Sequence, residues 1–130
     1  MEEQKKSAKR ILCIEDDQFI SEMYMRALQK AGYAVDFVDT GTKGLELALK
    51  NRYDLILLDI FLPEKTGIEV LAELRRPTSK LPLGTRIVIM TNYAHDDESR
   101  GALEAKADGY FIKADITPRK LIDLVKQLIG

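Results

Sequence analysis

Residues 53–63 place the strongest constraint on how this 130-residue chain can fold. They read Tyr-Asp-Leu-Ile-Leu-Leu-Asp-Ile-Phe-Leu-Pro. Four consecutive large aliphatic residues bounded by aspartates predict a short strand buried on both faces, as in a parallel sheet with helices above and below it. Asp59 follows at the carboxyl end of that strand, where open α/β sheets place their ligand crevice. From this segment alone, Asp59 is equally well interpreted as a functional carboxylate or as the cap of a loop.

The balance of charge gives no electrostatic case for binding nucleic acid or a membrane. Twenty Lys and Arg residues against 21 Asp and Glu residues give a net charge of −1, so the surface does not attract polyanions as a whole. No apolar segment is long enough to span a bilayer, and the polar start lacks the apolar core of a signal peptide. We therefore expect a cytoplasmic protein that makes no direct contact with nucleic acid or membrane.

Apolar segments alternate with helical patterns along the rest of the chain. Besides residues 53–59, four segments predict strands: residues 11–14, 34–38, 86–90 and 109–112. The single cysteine, Cys13, lies in the first of them and is predicted to be a small buried hydrophobe. Five strands alternating with five helical patterns predict an α/β fold, a doubly wound five-stranded parallel sheet with helices on both faces. Residues 1–9 are predicted to form a flexible tail, and residues 10–130 a single domain.

Local signals mark the start of the third helix. Thr66 followed three residues later by Glu69 forms a capping box, in which each residue satisfies a backbone donor of the other. We expect this helix to carry Ile68, Leu71 and Ala72 on its buried side.

The fourth and fifth helical patterns differ in strength. The fourth, residues 95–105, has a thin apolar stripe and contains Gly101, which costs about 1 kcal/mol relative to alanine inside a helix. The last pattern begins with Thr117 as cap and Pro118 at the first helical position, and it has a continuous apolar face. The fourth helix is therefore predicted to be the one held least firmly.

Polar residues follow four of the predicted strands, at the points where those strands end. They are Glu15 and Asp16 after the first strand, Asp59 after the third, Thr91 after the fourth and Lys113 after the fifth. Each has an ordinary structural explanation, as a helix cap, a backbone-bonded hydroxyl or a surface charge. Their joint placement at four strand ends favours one shared site, because the carboxyl ends of parallel strands meet at the same edge of a sheet.

Three carboxylates in one crevice repel each other, at a cost of about 4 kcal/mol per close pair at an effective dielectric near 20. A divalent cation would remove this conflict, and oxygen ligands favour Mg²⁺ over zinc because neither His95 nor Cys13 is predicted near this edge. A carboxylate nucleophile, a hard cation, an ammonium and a hydroxyl are the groups required for phosphoryl transfer to an aspartate. In such a site Asp59 attacks while the metal and Lys113 neutralise the phosphoryl oxygens.

At these residues the chain resembles the receiver domain of two-component response regulators, a flavodoxin-like family that takes phosphate from a histidine kinase. The likeness covers about residues 10–130. It consists of the acidic pair Glu15 and Asp16, the segment that begins at Asp59 and ends at Pro63, Gly67 downstream of it, Thr91, and Tyr110 three residues before Lys113.

The resemblance implies a magnesium site and a phosphoacceptor. Asp59 is then the residue that is phosphorylated. Mg²⁺ is held by Asp16, Asp59 and the backbone carbonyl of Phe61, and Glu15 contributes through water. A protein of this kind is a phosphoacceptor switch that catalyses only its own phosphorylation and dephosphorylation, and is not otherwise an enzyme.

The resemblance also implies a switch. Lys113 pairs with the phosphoryl group and Thr91 hydrogen-bonds to it, while Tyr110 swings inward behind the displaced threonine. Asp17 lies one place beyond the acidic pair and is interpreted as a helix cap. The implied partners are a sensor histidine kinase or phosphotransfer protein and a downstream protein target, which binds the face formed by the fourth helix, the fifth strand and the fifth helix.

Two positions depart from the family pattern. Ala114 follows Lys113 where the family usually has proline after a cis bond, so here either the bond is trans and Lys113 is held differently or packing enforces a strained bond. Asn92 replaces the usual small residue after the threonine and is expected to narrow the entrance to the acceptor. The two positions that gate the hydrolytic water in the family hold Phe61 and Tyr93, so slow self-dephosphorylation is expected.

Three alternatives stay open on the sequence. A pseudo-receiver would keep the fold and bind partners without being phosphorylated. A phosphatase with an aspartyl-phosphate intermediate would require a second aspartate two residues after the nucleophile, but Phe61 occupies that position. A nucleotide-binding site at residues 41–44, Gly-Thr-Lys-Gly, lacks the spacing of a phosphate-binding loop.

Overall fold

The central feature of the fold is a sheet of five parallel strands. The computed structural model describes residues 8–92, 101 and 105–130. The strands are β1 (Arg10–Ile14), β2 (Ala34–Val38), β3 (Leu55–Asp59), β4 (Arg86–Thr91) and β5 (Gly109–Ile112). Their order across the sheet is β2-β1-β3-β4-β5, with every pair parallel. The predicted doubly wound sheet is therefore confirmed, and β3 lies at its centre.

Four α-helices in the described part of the chain cover the sheet. They are α1 (Gln18–Lys30), α2 (Gly41–Lys50), α3 (Gly67–Leu74) and the C-terminal helix (Pro118–Ile129). Each begins after a side chain that accepts a bond from a backbone N–H of the first turn. These caps are Asp17, Thr40, Thr66 and Thr117. Within the described residues, no helix combines the length and apolarity needed to cross a bilayer.

Alternation along the strands divides the core into two layers. Leu12, Ile14, Ile56 and Leu58 pack on one face of the sheet against residues of α2 and α3. The intervening residues of β1 and β3 pack on the other face against α1 and the C-terminal helix, and Cys13 lies among them, fully buried as predicted. Burying one large aliphatic side chain contributes about 1.5–3 kcal/mol. β3 is buried along its whole length, so its last residue, Asp59, is held between both layers.

The predicted buried face of α3 is partly wrong. The capping box of Thr66 and Glu69 is present, and Leu71 is buried as expected. Ile68, however, is 49% exposed, and Ala72 is also exposed. Val70, Leu71 and Leu74 form the buried side instead. The helix is rotated because its first residue, Gly67, packs directly on the backbone at the end of β3.

Two sequence predictions fall largely outside the described residues. The flexible tail was predicted at residues 1–9, of which the structure describes 8 and 9. The weakly held fourth helix was predicted at residues 95–105, of which the structure describes 101 and 105. Both stay predictions.

The contact between Gly67 and β3 is expected to carry a large share of local stability. A Cβ at position 67 would overlap the carbonyl oxygen of Asp59 and lie 2.8 Å from its carbonyl carbon. Because this obstacle is backbone, Gly67→Ala is expected to lower the free energy of unfolding by about 3 kcal/mol. Urea denaturation of the variant measures the change.

Gly84→Ala is the matched control for that substitution. A Cβ at position 84 meets nothing within 4 Å, so its free energy of unfolding should stay within about 0.5 kcal/mol of wild type. Equal stabilities of the two variants would contradict the close contact at Gly67.

Candidate functional site

The strand registers bring the predicted site residues to one edge of the sheet. Ile14 pairs with Leu58, Asp59 with Met90, and Thr91 with Ile112. Glu15 and Asp59 follow the first pair, Thr91 follows Met90, and Lys113 follows Ile112. Glu15 is therefore level with Asp59, Thr91 lies one position beyond it on β4, and Lys113 lies two positions beyond it on β5.

Glu15 and Asp16 leave β1 in different environments. Glu15 is 1% exposed, and its Oε2 accepts a bond of 3.0 Å from the backbone N–H of Asp17. Asp16 is exposed. The Asp17 side chain accepts a bond of 3.1 Å from the N–H of Ile20, which confirms that it caps α1. The buried member of the acidic pair is thus Glu15, and the accessible one is Asp16.

Asp59 ends β3 with its carboxylate oriented by two contacts. Asp59 is only 3% exposed. Its Oδ1 accepts a bond of 3.3 Å from the backbone N–H of Phe61, and its Oδ2 lies 3.0 Å from the Nζ atom of Lys113. A buried carboxylate held in this way has a single well-defined direction toward the strand edge.

Lys113 supplies the positive charge of the site. It is 8% exposed, and its Nζ contacts both Glu15 Oε1 and Asp59 Oδ2. No cis peptide bond occurs in the described part of the chain, so the Lys113–Ala114 bond is trans. A single turn of 3₁₀-helix, Lys113–Asp115, begins at the lysine. The first of the two options left open by Ala114 therefore applies, and the lysine still reaches the acceptor carboxylate.

The carboxylates of Glu15, Asp16 and Asp59 are arranged as a possible metal site. One oxygen from each lies within 4.8 Å of the others. The Lys113 ammonium contacts the Glu15 and Asp59 carboxylates, and one ammonium does not balance three carboxylates. Oxygen donors with an accessible side at Asp16 suit a hard cation that keeps some of its waters, such as Mg²⁺. The residues present therefore fit the predicted ion, whereas the part of the Phe61 carbonyl stays a prediction.

Burial shifts the proton affinities of the site. Burial raises the pKa of the Glu15 carboxyl to about 7, although the Lys113 ammonium and the Asp17 N–H act in the opposite direction. Burial would lower the pKa of the Lys113 ammonium, but its bonds to Glu15 and Asp59 outweigh that effect and raise it. Lys113 therefore stays charged, and Glu15 is the carboxyl whose ionised form burial disfavours.

Thr91 and Tyr110 lie on the neighbouring strands. Thr91 is the last residue of β4 and is fully buried. Tyr110 is the second residue of β5, is partly buried, and packs against the core layer of α2 and α3. Their positions are consistent with a structural change that passes from Asp59 to β5. Their motion on activation stays a prediction.

The structure describes only one of the two residues predicted to gate the hydrolytic water. Phe61 is 54% exposed, directly after the Asp59 strand end. Tyr93 lies outside the described residues. Asn92, the departure expected to narrow the entrance, is exposed at the end of β4.

Packing explains the glycines that resemble a nucleotide-binding loop. A Cβ at Gly41 would overlap the carbonyl oxygen of Lys65, and one at Gly44 would lie 2.8 Å from Cγ2 of Ile14. Both glycines are buried. Close approach of α2 to its neighbours accounts for them without a phosphate ligand.

Sequence reasoning missed a cavity of about 320 Å³ beside the acidic pair. Its walls come from the end of β1, from α1, from the end of β2 and from α2. Buried Ser21 and Lys43 line it together with Glu15 and Asp16. No local pattern could have identified this cavity, because its lining residues are distant in the sequence.

The raised pKa of Glu15 predicts how stability depends on pH when no metal is present. The folded-state pKa of about 7 exceeds the ordinary value of 4.5, so the folded protein retains a proton that the unfolded chain has lost. Glu15 therefore contributes its full stability below the unfolded pKa, and that contribution disappears as pH rises through the folded pKa. The free energy of unfolding of Glu15→Gln, relative to that of wild type, should therefore rise by about 1–3 kcal/mol between pH 5 and pH 8.

Urea unfolding in the presence of a chelator, at both pH values, measures this difference. Asp17→Asn serves as control, because Asp17 caps α1 and is exposed. An identical pH slope for wild type and Glu15→Gln would show that Glu15 does not titrate in this range.

Comparison with protein families identifies one that covers most of the chain. The family described as the response regulator receiver domain matches residues 11–126. This range includes every described strand end that contributes to the site.

Curated relatives are bacterial regulators. The chain is 36% identical over 104 residues to the transcriptional regulatory protein DltR of Streptococcus agalactiae, covering 80% of this chain and 45% of that protein. It is 42% identical over 105 residues to the transcriptional regulatory protein HprR of Escherichia coli, covering 80% of this chain and 44% of that protein. The chain thus spans less than half the length of these curated relatives.

Solved structures with the same fold extend over nearly the whole chain. A CheY-like response regulator receiver domain protein from Methanospirillum hungatei superposes with a TM-score of 0.79 at 34% identity, covering 93% of each chain. The response regulator TrrA of Thermotoga maritima, solved in complex with Mg²⁺ and BeF, has a TM-score of 0.78 at 32% identity, covering 92% of this chain and 98% of that one.

Proposed function

This chain belongs to the response regulator receiver domain family, and from that premise we propose that it is a phosphorylation-activated switch whose acceptor is Asp59. Receiver domains of this family interact with histidine kinases and with downstream effectors and are signalling switches rather than classical enzymes. One observation carries the assignment of the acceptor. The Asp59 carboxylate is buried at the central strand end, 3.0 Å from the Lys113 ammonium and within reach of the Glu15 and Asp16 carboxylates.

The proposed donor is the phosphohistidine of a sensor histidine kinase or phosphotransfer protein. An Asp59 oxygen attacks the phosphorus, a P–O bond forms, and the P–N bond to the imidazole breaks, with the electron pair leaving on the imidazole nitrogen. Lys113 holds positive charge beside Asp59 Oδ2 and pairs with the phosphoryl oxygens. Thr91 hydrogen-bonds to the phosphoryl group. Because Asp59 is consumed once per transfer, the domain catalyses only its own phosphorylation and dephosphorylation.

The proposed cofactor is Mg²⁺, which when bound neutralises the phosphoryl oxygens. Asp16, Asp59 and the backbone carbonyl of Phe61 would hold it directly, and Glu15 through water. The burial of Glu15 supports an indirect role, since its Oε2 is already bonded to the Asp17 N–H and its Oε1 to Lys113. The exposed Asp16 has the freedom to bind an ion that arrives from solvent.

The main alternative, a pseudo-receiver that is never phosphorylated, rested on Ala114 and Asn92. The contact between Lys113 and Asp59 argues against it, because the trans bond before Ala114 does not keep the lysine away from the acceptor. A phosphatase is not supported, because Phe61 supplies no general acid.

The proposed output surface is formed by the predicted fourth helix, β5 and the C-terminal helix. Buried Thr91 at the end of β4 and partly buried Tyr110 on β5 support a route from Asp59 toward this face. The proposed partner there is a downstream protein rather than nucleic acid or membrane. DltR and HprR are transcriptional regulators more than twice as long as the region that matches, and their regulatory output is a property of those longer proteins.

Phosphorylation of Asp59 can be tested with a small-molecule donor. After incubation with acetyl phosphate and Mg²⁺, intact-mass spectrometry should show addition of one phosphoryl group to wild type and none to Asp59→Asn. Asp54→Asn is the matched control, because Asp54 lies at the opposite end of β3, where it accepts a bond from the Arg10 N–H. Unmodified wild type, or equal modification of Asp59→Asn, would reject the proposal.

Phe61 is predicted to slow the loss of the phosphoryl group by excluding water from it. Phe61→Ala should therefore shorten the lifetime of the phosphorylated protein severalfold, as followed by intact mass after removal of acetyl phosphate. Tyr93→Ala is expected to act in the same direction. Leu83→Ala, which removes a fully exposed apolar side chain elsewhere, should have no effect. Equal decay in all four proteins would leave both aromatic rings without a gating role.

A further inference from the structure

We infer that Gly41, the first residue of α2, is a positioning residue that sets the affinity of the acidic pocket for Mg²⁺. It acts through the loop of residues 60–66, which connects Asp59 to α3 and includes Phe61. The inference rests on the proposed function, because it takes the pocket to be the magnesium site. Gly41 contributes no ligand itself, so its effect is transmitted entirely by backbone contacts.

The loop contains a strained turn. The N–H of Lys65 donates to the carbonyl oxygen of Pro63 at 2.8 Å, two residues back. Glu64, between them, has a φ of 71° and is the only residue other than glycine with positive φ in the described part of the chain. This combination defines a γ-turn whose central residue is in an unfavourable conformation. Such strain costs about 1–3 kcal/mol and persists only where surrounding contacts enforce it.

Gly41 provides the enforcing contact. Its N–H donates to the same Pro63 carbonyl at 3.1 Å, so this oxygen accepts bonds from both the turn and α2. A Cβ at position 41 would overlap the Lys65 carbonyl oxygen and lie 2.7 Å from its carbonyl carbon. Only glycine therefore allows α2 to begin against the turn. Thr40 caps the helix by accepting a bond from the Lys43 N–H at 3.1 Å, which holds the helix start in place.

The other end of the loop is held in a similar way. The N–H of Gly67 donates to the Ile60 carbonyl at 2.7 Å, and a Cβ at Gly67 would overlap the Asp59 carbonyl oxygen. Between these two attachments, the Phe61 N–H donates to Asp59 Oδ1 at 3.3 Å. The position of the Phe61 backbone relative to the acceptor is therefore set from one side by α3 and from the other by α2.

The loop's geometry explains why a change at Gly41 should reach the metal. An alanine there would push the Lys65 backbone away from α2 and break the bond from position 41 to Pro63. The turn would relax, and Phe61 would move relative to Asp59. Groups that orient metal ligands typically change affinity by about 10- to 100-fold when they are altered.

The test is Mg²⁺ binding to the unphosphorylated protein, measured by calorimetry together with urea unfolding. Gly41→Ala is expected to raise the dissociation constant for Mg²⁺ about 10-fold. Gly44→Ala is the matched control, since it lies one turn further along α2 and its Cβ would meet the Ile14 side chain rather than the loop. It should change stability without changing the dissociation constant. A purely structural role for Gly41 would lower stability and leave Mg²⁺ affinity at the wild-type value, which would overturn the inference.

Hydrogen exchange in wild type provides a second measurement that does not depend on a folded variant. Saturating Mg²⁺ should slow exchange of the Gly41 N–H, because ion binding fixes the loop to which that N–H is bonded. The amide of Gly84 should be unaffected. An unchanged exchange rate at Gly41 in Mg²⁺-saturated protein would overturn the inference alone, whereas a failure of wild type to bind Mg²⁺ would overturn the metal site of the proposed function as well.

Discussion

The Lys113 ammonium, buried between Glu15 and Asp59, is the interaction on which the site depends. Without it, two nearly inaccessible carboxylates would face each other at the end of the central strands with no cation between them. One ammonium does not balance the charge, because Asp16 lies close enough to add a third carboxylate. The site therefore combines a fixed internal cation with a remaining demand for a second, exchangeable one.

That arrangement links stability to function. A buried carboxylate whose pKa is raised by burial destabilises the fold at neutral pH, and Glu15 is in this position. This cost is offset by the apolar burial of the surrounding sheet, in which β3 is buried along its whole length. A site with an unsatisfied negative charge is well suited to bind a hard cation and, through it, a phosphoryl group. We interpret the destabilisation by Glu15 at neutral pH as a consequence of the proposed chemistry.

Two glycines at helix starts restrain the backbone next to the acceptor. Gly41 and Gly67 each begin a helix in a position where a side chain would overlap a main-chain carbonyl. Together they place α2 and α3 in direct contact with the loop that follows Asp59, and they maintain a left-handed conformation at Glu64. The loop thus has little freedom on this side of the acceptor. This restraint is consistent with a proposed response directed toward β4 and β5.

The sequence by itself determined the elements and the edge of the sheet at which the site lies. Apolar segments, the capping box at Thr66 and the cap at Thr117 are local signals, and they identified the five strands and the starts of α3 and the C-terminal helix correctly. The strand-end residues were predictable as one group, because parallel strands bring their carboxyl ends together. Register then placed Glu15 level with Asp59 and Thr91 one position beyond it, and the long side chain of Lys113 reaches Asp59 from β5.

Only the tertiary structure decided how these parts fit. It buried Glu15 against Lys113 and left Asp16 accessible, although the two acids are adjacent in the chain. It turned Ile68 outward, contrary to the pattern of α3, and it brought Gly41 against Lys65 across 24 positions of sequence. Such outcomes depend on the distances between packed helices and loops, which arise from many non-local contacts at once. Periodicity and spacing carry no information about them.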